Sequence, residues 1–149
     1  MARILIAEDD SDIRRIVTHV LVEAGHDVSA VKDGESVVER LTWAPPDLLI
    51  LDIMMPGQDG YSVLEEMRSQ EVAKETKVLV LTAKNREADV ERSYRLGASF
   101  HMTKPFEPDE LVEATRRVLN TSDQDLEALQ EQEADKARLL SQIESVFGD

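Results

Sequence analysis

Residues 48–60, LLILDIMMPGQDG, place a carboxylate directly after an apolar run and directly before a loop of turn-forming residues. The aliphatic residues 48–51 are typical of a strand that is buried on both faces of a parallel sheet. Pro56 then ends regular structure. Asp52 is therefore predicted to lie at the carboxyl end of a central strand, where a carboxylate needs charged or polar partners.

The rest of the chain repeats this alternation of short apolar runs and amphipathic segments. Strands are predicted at residues 3–7, 28–31, 48–51, 78–81 and 100–103. Helices are predicted at residues 13–24, 37–42, 61–69, 87–96 and 108–120. Five such repeats, with strands apolar on both faces, predict an α/β fold in which helices cover both sides of a parallel sheet.

Whole-chain composition limits the possible functions. The 149 residues fit one domain, expected at residues 1–120, with a tail at residues 121–149. No apolar run is long enough for a membrane span, so we expect a soluble, cytoplasmic protein with no membrane partner. There is no cysteine, which excludes disulfides and thiolate chemistry. A formal charge of −14 argues against binding nucleic acid.

Polar residues follow four of the five predicted strands. Ligands of such sheets bind beyond the carboxyl ends of the strands, so these positions form the candidate site. They are Glu8 and Asp9 after the first strand, Asp52 after the third, Thr82 and Ala83 after the fourth, and Lys104 and Pro105 after the fifth.

The residue types in this set indicate phosphoryl chemistry. Clustered carboxylates repel one another unless a cation intervenes, and oxygen ligands favour Mg²⁺, with Mn²⁺ as a substitute. Lys104 would place a positive charge on a phosphoryl oxygen, Thr82 would donate a hydrogen bond, and Ala83 would leave room for entry. Asp52 is the candidate nucleophile, because carboxylates form aspartyl-phosphate intermediates.

Each residue also has an ordinary structural explanation. The acidic run Glu8–Asp10 could cap the first helix, Asp52 could form a turn, and Lys104 could be a solvated lysine. Asp10 or Ser11 is predicted to be that cap, and Asp10 is left outside the site. The ordered set as a whole favours the functional interpretation.

Four stretches in order, "RILIAEDD", "LLILDIMMPGQDG", "VLVLTA" and "KPF", resemble the receiver domain of bacterial two-component response regulators. The resemblance covers residues 3–119. It implies a flavodoxin-like, doubly wound sheet of five parallel strands in the order 2-1-3-4-5, with five helices. The predicted C-terminal helix would be an extension of that fold.

The resemblance also implies a mechanism. A sensor histidine kinase, or a histidine phosphotransfer protein, would pass a phosphoryl group to Asp52. Asp9, Asp52 and the backbone carbonyl of Met54 would hold Mg²⁺, with Glu8 acting mostly through water. The Lys104–Pro105 peptide would commonly be cis, and the signal would leave through the face of the fourth helix, fifth strand and fifth helix. Such a domain catalyses only its own phosphotransfer and dephosphorylation.

The chain departs from the family pattern at two places. His101 replaces the usual Tyr or Phe that moves together with Thr82, and we expect its imidazole to make the response sensitive to pH. A fixed surface histidine is the alternative. Met54 and Lys84 stand at the positions that influence hydrolysis, and Met54 has no polar group to orient water, which predicts slow self-dephosphorylation.

The tail is a different kind of sequence. Eight acids and two bases give residues 121–149 a charge of −6. The tail contains a 3-4 repeat of seven positions, five of which are apolar: Leu126, Leu129, Leu140, Ile143 and Phe147. The two central positions are the polar residues Glu133 and Lys136. A helix is predicted, either pairing with a second copy as a coiled coil, which we favour, or folding back onto the domain. Disorder is a further alternative.

Other classes fit less well. A dehalogenase-like phosphatase would carry a D-x-D motif after its strand. In this chain the residue two positions after Asp52 is Met54, not an aspartate. A nucleotide- or flavin-binding domain needs a glycine-rich loop that the chain lacks after its first strand. Among regulators, a stand-alone receiver, a phosphorelay intermediate and the front part of a longer protein all stay open.

Overall fold

A computed structural model describes residues 1–147 and shows five strands and six helices in that range. In chain order they are β1 (Arg3–Ala7), α1 (Ser11–Glu23), β2 (Asp27–Val31), α2 (Gly34–Trp43), β3 (Leu48–Leu51), α3 (Gly60–Ser69), β4 (Lys77–Thr82), α4 (Glu87–Arg95), β5 (Phe100–Thr103), α5 (Pro108–Asn120) and α6 (Asp123–Phe147). Gly148 and Asp149 of the predicted tail lie outside the described residues.

All neighbouring strands are parallel, and their order is β2-β1-β3-β4-β5. This confirms the predicted flavodoxin-like fold and its strand order. Several element ends differ from the prediction by one to three residues, and α2 includes Trp43 instead of ending before it. The helix stops there since Pro45 restricts the residue before it and has no N–H to donate.

The sheet is buried on both faces. Side chains alternate between the two faces along each strand, so the strands contribute to two separate cores, one on each side of the sheet. The core against α2 and α3 contains Leu5, Leu49, Leu51, Val78 and Val80. The core against α1 and α5 contains Ile4, Ile6, Leu48, Ile50, Leu79 and Leu81.

Aspartates begin three of the helices close to the ends of the strands. Asp10, which the sequence placed outside the site, accepts hydrogen bonds from the backbone N–H groups of Asp12 and Ile13. Asp33 and Asp59 cap α2 and α3 in the same way. Each cap satisfies backbone donors that would otherwise lack partners and fixes where its helix begins.

The tail forms the predicted helix, and it folds back onto the domain. α6 packs against α4, and Leu126, Ala134 and Ala137 are buried in the contact. The turn before it is fixed by Lys77, whose Nζ donates to the carbonyls of Leu119 and Thr121. The arrangement less favoured from sequence is therefore the one observed in a single chain, and pairing between copies stays a prediction.

None of the helices formed by residues 1–147 combines the length and the apolar character needed to cross a bilayer.

Candidate functional site

Backbone hydrogen bonds bring the predicted site residues to one edge of the sheet. Each continues the ladder one residue beyond a strand: the N–H of Glu8 donates to Val31, that of Asp52 to Ala7, and that of Lys104 to Thr82. The donor–acceptor distances are 3.1, 3.0 and 2.9 Å. Because these strands are parallel, the residues that follow them share the carboxyl edge.

At this edge three carboxyl groups converge. One oxygen from each of Glu8, Asp9 and Asp52 lies within 4.8 Å of the others. Glu8 and Asp52 are buried, with 3% and 4% of their surfaces exposed, whereas Asp9 is exposed. Burial makes their mutual repulsion costly, so the cluster needs a positive charge.

Lys104 supplies that charge. Its Nζ lies 2.9 Å from Asp52 Oδ2 and also donates to Glu8 Oε1. The ammonium therefore bridges two buried carboxylates that directly follow strands β1 and β3 at the edge of the sheet. The peptide bond that follows it, Lys104–Pro105, is cis.

The pKa values of the two bridged groups reflect opposing effects. Burial raises the pKa of Glu8 from 4.5 to about 7, and the charge of Asp52 acts in the same direction while Lys104 opposes both. Burial lowers the pKa of Lys104, but its hydrogen bonds to Glu8 and Asp52 outweigh burial and raise it above its ordinary value. A cation at this site thus favours the ionised form of Glu8.

The remaining predicted residues surround this cluster. Thr82 is fully buried at the end of β4, and its Oγ1 accepts a hydrogen bond of 3.3 Å from the N–H of Lys84. Ala83 is exposed. The N–H of Met54 donates to Asp52 Oδ1 over 2.9 Å, and its side chain is 53% exposed. Met54 therefore orients the Asp52 carboxylate through its backbone.

The donor set fits the predicted metal ion. Three carboxyl groups close enough to share one cation, with oxygen as the only ligand atom, are what Mg²⁺ and Mn²⁺ prefer. The exposed Asp9 leaves this side of the cluster open to solvent.

Sequence reasoning missed two residues that shape the site. Arg14, on α1, donates from NH1 to the carbonyls of Glu8 and Asp9 and so fixes the acidic loop. Gly60 lies so close to the loop after β3 that an added Cβ would be 2.6 Å from the carbonyl oxygen of Asp52. Gly60 was visible in the quoted stretch, but only the fold reveals the close approach.

His101 lies away from the carboxylates and links β5 to α4 and to the loop after β4. Its Nε2 is 3.0 Å from the carbonyl oxygen of Lys84, and its Nδ1 is 3.0 Å from Ser93 Oγ. Its backbone N–H donates to the Tyr94 hydroxyl. Burial lowers the pKa of His101, while the Lys84 carbonyl and the charge of Asp89 oppose this effect.

The fold, and an acidic cluster with a lysine at the carboxyl edge of its sheet, are those of a receiver-type signalling domain. Comparison of the sequence with known families agrees: the chain belongs to the response regulator receiver domain family, whose profile matches residues 4–116. The family predicted from the four motifs is thereby confirmed.

Curated relatives include full-length regulators. The chain is 36% identical over 117 residues to the phosphate regulon transcriptional regulatory protein PhoB of Escherichia coli, covering 78% of this chain and 51% of PhoB. It is 35% identical over 121 residues to the alkaline phosphatase synthesis transcriptional regulatory protein PhoP of Bacillus subtilis, covering 81% of this chain and 50% of PhoP. The chain therefore spans about half the length of these relatives.

Solved structures match almost over their whole length. The chemotaxis response regulator CheY4 of Vibrio cholerae has a TM-score of 0.74 and 31% identity, with 79% of this chain and 98% of CheY4 covered. The BeF3-activated DrrB receiver domain has a TM-score of 0.72 and 27% identity, with 81% and 99% covered. The uncovered part of this chain is of the size of α6.

The bridging role of Lys104 gives a prediction for stability. Lys104→Met leaves Glu8 and Asp52 buried without their cation, which we expect to reduce the free energy of unfolding by about 3 kcal/mol without divalent ions. Urea denaturation at about pH 8, with and without Mg²⁺, measures the loss and its recovery by the metal.

Lys74→Met is the matched control. The Lys74 side chain is 64% exposed and pairs with Glu71, so its loss is expected to change stability by less than about 0.5 kcal/mol. Equal denaturation midpoints for the two variants would contradict the role assigned to Lys104.

Proposed function

We propose that this protein accepts a phosphoryl group on Asp52 from the phosphohistidine of a sensor histidine kinase or a histidine phosphotransfer protein. The observation that carries the proposal is the convergence of Glu8, Asp9, Asp52 and Lys104 at the carboxyl edge of the sheet. The family of the chain supports the same function.

Asp9, Asp52 and the backbone carbonyl of Met54 would hold Mg²⁺, with Glu8 acting through water, and Mn²⁺ would substitute. The ion would neutralise the carboxylates and the incoming phosphoryl oxygens. The burial of Glu8 and Asp52 supports this role, since neither has enough solvent to balance its charge alone.

In the transfer step, a carboxylate oxygen of Asp52 attacks phosphorus, an O–P bond forms, and the N–P bond to the donor imidazole breaks. The electron pair of that bond returns to the imidazole nitrogen. Lys104 would shift from Asp52 to a phosphoryl oxygen without leaving the cluster. Thr82 already uses its oxygen as an acceptor, so its hydroxyl proton is free to donate to the phosphoryl group.

Incubation with a small phosphodonor and Mg²⁺ tests the acceptor. We expect intact mass to rise by one phosphoryl group in the wild type and not in Asp52→Asn, because an amide oxygen is a far poorer nucleophile. Asp125→Asn, an exposed carboxylate on α6, is the control that should still be modified. Equal modification of Asp52→Asn would overturn the assignment.

The lifetime of the phosphorylated state is expected to be minutes or longer. The exposed side chain of Met54 offers no polar group to orient an attacking water. Loss of the phosphoryl mass over time measures the half-life, and Met54→Gln is expected to shorten it several-fold. A half-life of seconds in the wild type would contradict the prediction.

We also propose that His101 acts as the switch residue together with Thr82. Its ring connects Lys84, two residues after Thr82, to Ser93 on α4, so movement of the loop toward a phosphoryl group reaches α4 through this ring. The backbone carbonyl of Lys84 and the charged carboxylate of Asp89 act on the ring, and the Tyr94 hydroxyl accepts from the backbone N–H of His101.

Protonation should oppose this movement. The Ser93 hydroxyl has one proton and lies 3.0 Å from both His101 Nδ1 and the Asp89 carbonyl oxygen. Neutral His101 therefore competes with Asp89 for that proton, whereas the imidazolium donates at both nitrogens and tightens the existing contacts. Because burial lowers the pKa of His101, the effect is expected only below its ordinary pKa of about 6.5.

The affinity for beryllofluoride, the activating group named for the DrrB structure, provides the measurement. We expect the wild type to bind it several-fold more weakly at about pH 5.5 than at about pH 8, and His101→Tyr to lose part of this difference. His19→Tyr, at an exposed position on α1, is the control. Identical pH profiles for His101→Tyr and the wild type would contradict a role of His101 in the pH dependence.

The output would leave through the face of α4, β5 and α5 and through α6. Under this proposal residues 1–120 form the receiver domain, and residues 121–149 form an acidic helical tail that mediates homodimer formation as a coiled coil. The tail supports this role by its repeat of apolar residues, most of which stay exposed on the folded chain.

A further inference from the structure

α6 packs against the domain through a small apolar surface. Its buried residues are one leucine, Leu126, and two alanines, Ala134 and Ala137. Polar contacts add the hydrogen bond from Gln130 to the carbonyl of Gly97 and an ion pair of half-exposed side chains between Arg95 and Asp135. Small side chains and exposed ion pairs contribute little to stability, so this contact is easily exchanged.

Several of the larger apolar residues of α6 stay exposed on the folded chain. Leu129, Leu140, Ile143 and Phe147 are 44%, 36%, 53% and 85% exposed. α6 has 25 residues and α4 only nine, so much of α6 extends beyond the helix that it covers. These residues and Leu126 belong to one 3-4 repeat, which we call the seam: positions 126, 129, 133, 136, 140, 143 and 147.

The charges of α6 determine how two seams would fit together. Residues 123–135 carry six acids and no base, whereas residues 136–147 carry two bases and one acid. Parallel helices would oppose the two acidic halves and place Glu133 against Glu133. Antiparallel helices bring each acidic half against the weakly basic half of the other copy.

In one antiparallel register, every central position of the seam faces a residue of matching character. It places Leu126 opposite Ile143, Leu129 opposite Leu140, and Glu133 opposite Lys136, each pair formed between the two copies. Apolar residues then meet apolar residues, and the two polar positions of the seam form two ion pairs at its centre. Polar residues at core positions of a coiled coil specify its register.

We propose that α6 exchanges its place on α4 for α6 of a second copy, forming an antiparallel coiled-coil dimer in this register. Leu126 is buried against the domain and also belongs to the seam, so one helix cannot occupy both sites at once. The dimer therefore uncovers the outer face of α4. The inference rests on the proposed role of α6 as a dimer helix and is independent of phosphotransfer.

A charge placed on the face of α6 that packs against the domain tests the exchange. Ala134 is 1% exposed and lies outside the seam, so Ala134→Glu should release α6 from α4 and increase the dimer fraction several-fold in sedimentation experiments. Ala128→Glu adds the same charge at an exposed position and should match the wild type. A monomeric Ala134→Glu, or a wild-type dimer that this substitution dissociates, would overturn the proposal.

Cross-linking tests the register, since the chain contains no native cysteine. Leu129→Cys and Leu140→Cys, each combined with Ala134→Glu, should form a disulfide when mixed and little when alone. Identical positions in the antiparallel dimer are about 16 Å apart, too far for a disulfide. Efficient bridges within either single-cysteine sample would instead demonstrate a parallel pair and overturn the register.

Both experiments are run in the Asp52→Asn background without phosphodonor. Failure of the dimer then leaves the phosphotransfer proposal to its own mass measurement, and failure of phosphotransfer leaves the sedimentation and cross-linking results unchanged.

Discussion

The site depends on one constraint, the continuation of the parallel ladder by one residue past the ends of the strands. These hydrogen bonds fix the backbones of Glu8, Asp52 and Lys104 at the same edge, although they lie up to 96 residues apart in sequence. A carboxylate is poorly tolerated in a sheet that is apolar on both faces. At its carboxyl edge the same carboxylates meet a lysine and, by the proposed mechanism, a metal ion and a phosphoryl group.

Charge balance explains how Glu8, Asp52 and Lys104 can lie buried together and still favour the binding of a cation. The Lys104 ammonium compensates two buried carboxylates that would otherwise repel each other, and burial still raises the pKa of Glu8 to about 7. A site in that condition gains from each further positive charge and gains no stability from a further bare anion. A phosphoryl group would therefore enter most favourably together with a divalent cation.

Under the proposed switch, the connection between the site and the rest of the molecule passes through His101 and α4. The ring contacts the loop that follows Thr82 on one side and Ser93 on the other, and Tyr94 beside it faces α6. α6 covers this part of α4 with small side chains and keeps larger ones exposed. The helix that would report the state of the receiver is thus held where a small displacement of α4 changes its contacts.

The sequence by itself determined the order of elements, the sheet, and the residues that follow the strands, because apolar periodicity and turn residues act locally and parallel strands share one edge. Only the tertiary structure decided that Gly60 must lack a side chain against the carbonyl of Asp52, that Arg14 holds the acidic loop, and that α6 folds back. These depend on close approaches between segments distant in the chain. For α6 the sequence revealed the apolar repeat, but the choice of partner depends on the competing surface of α4, which exists only once the domain has folded.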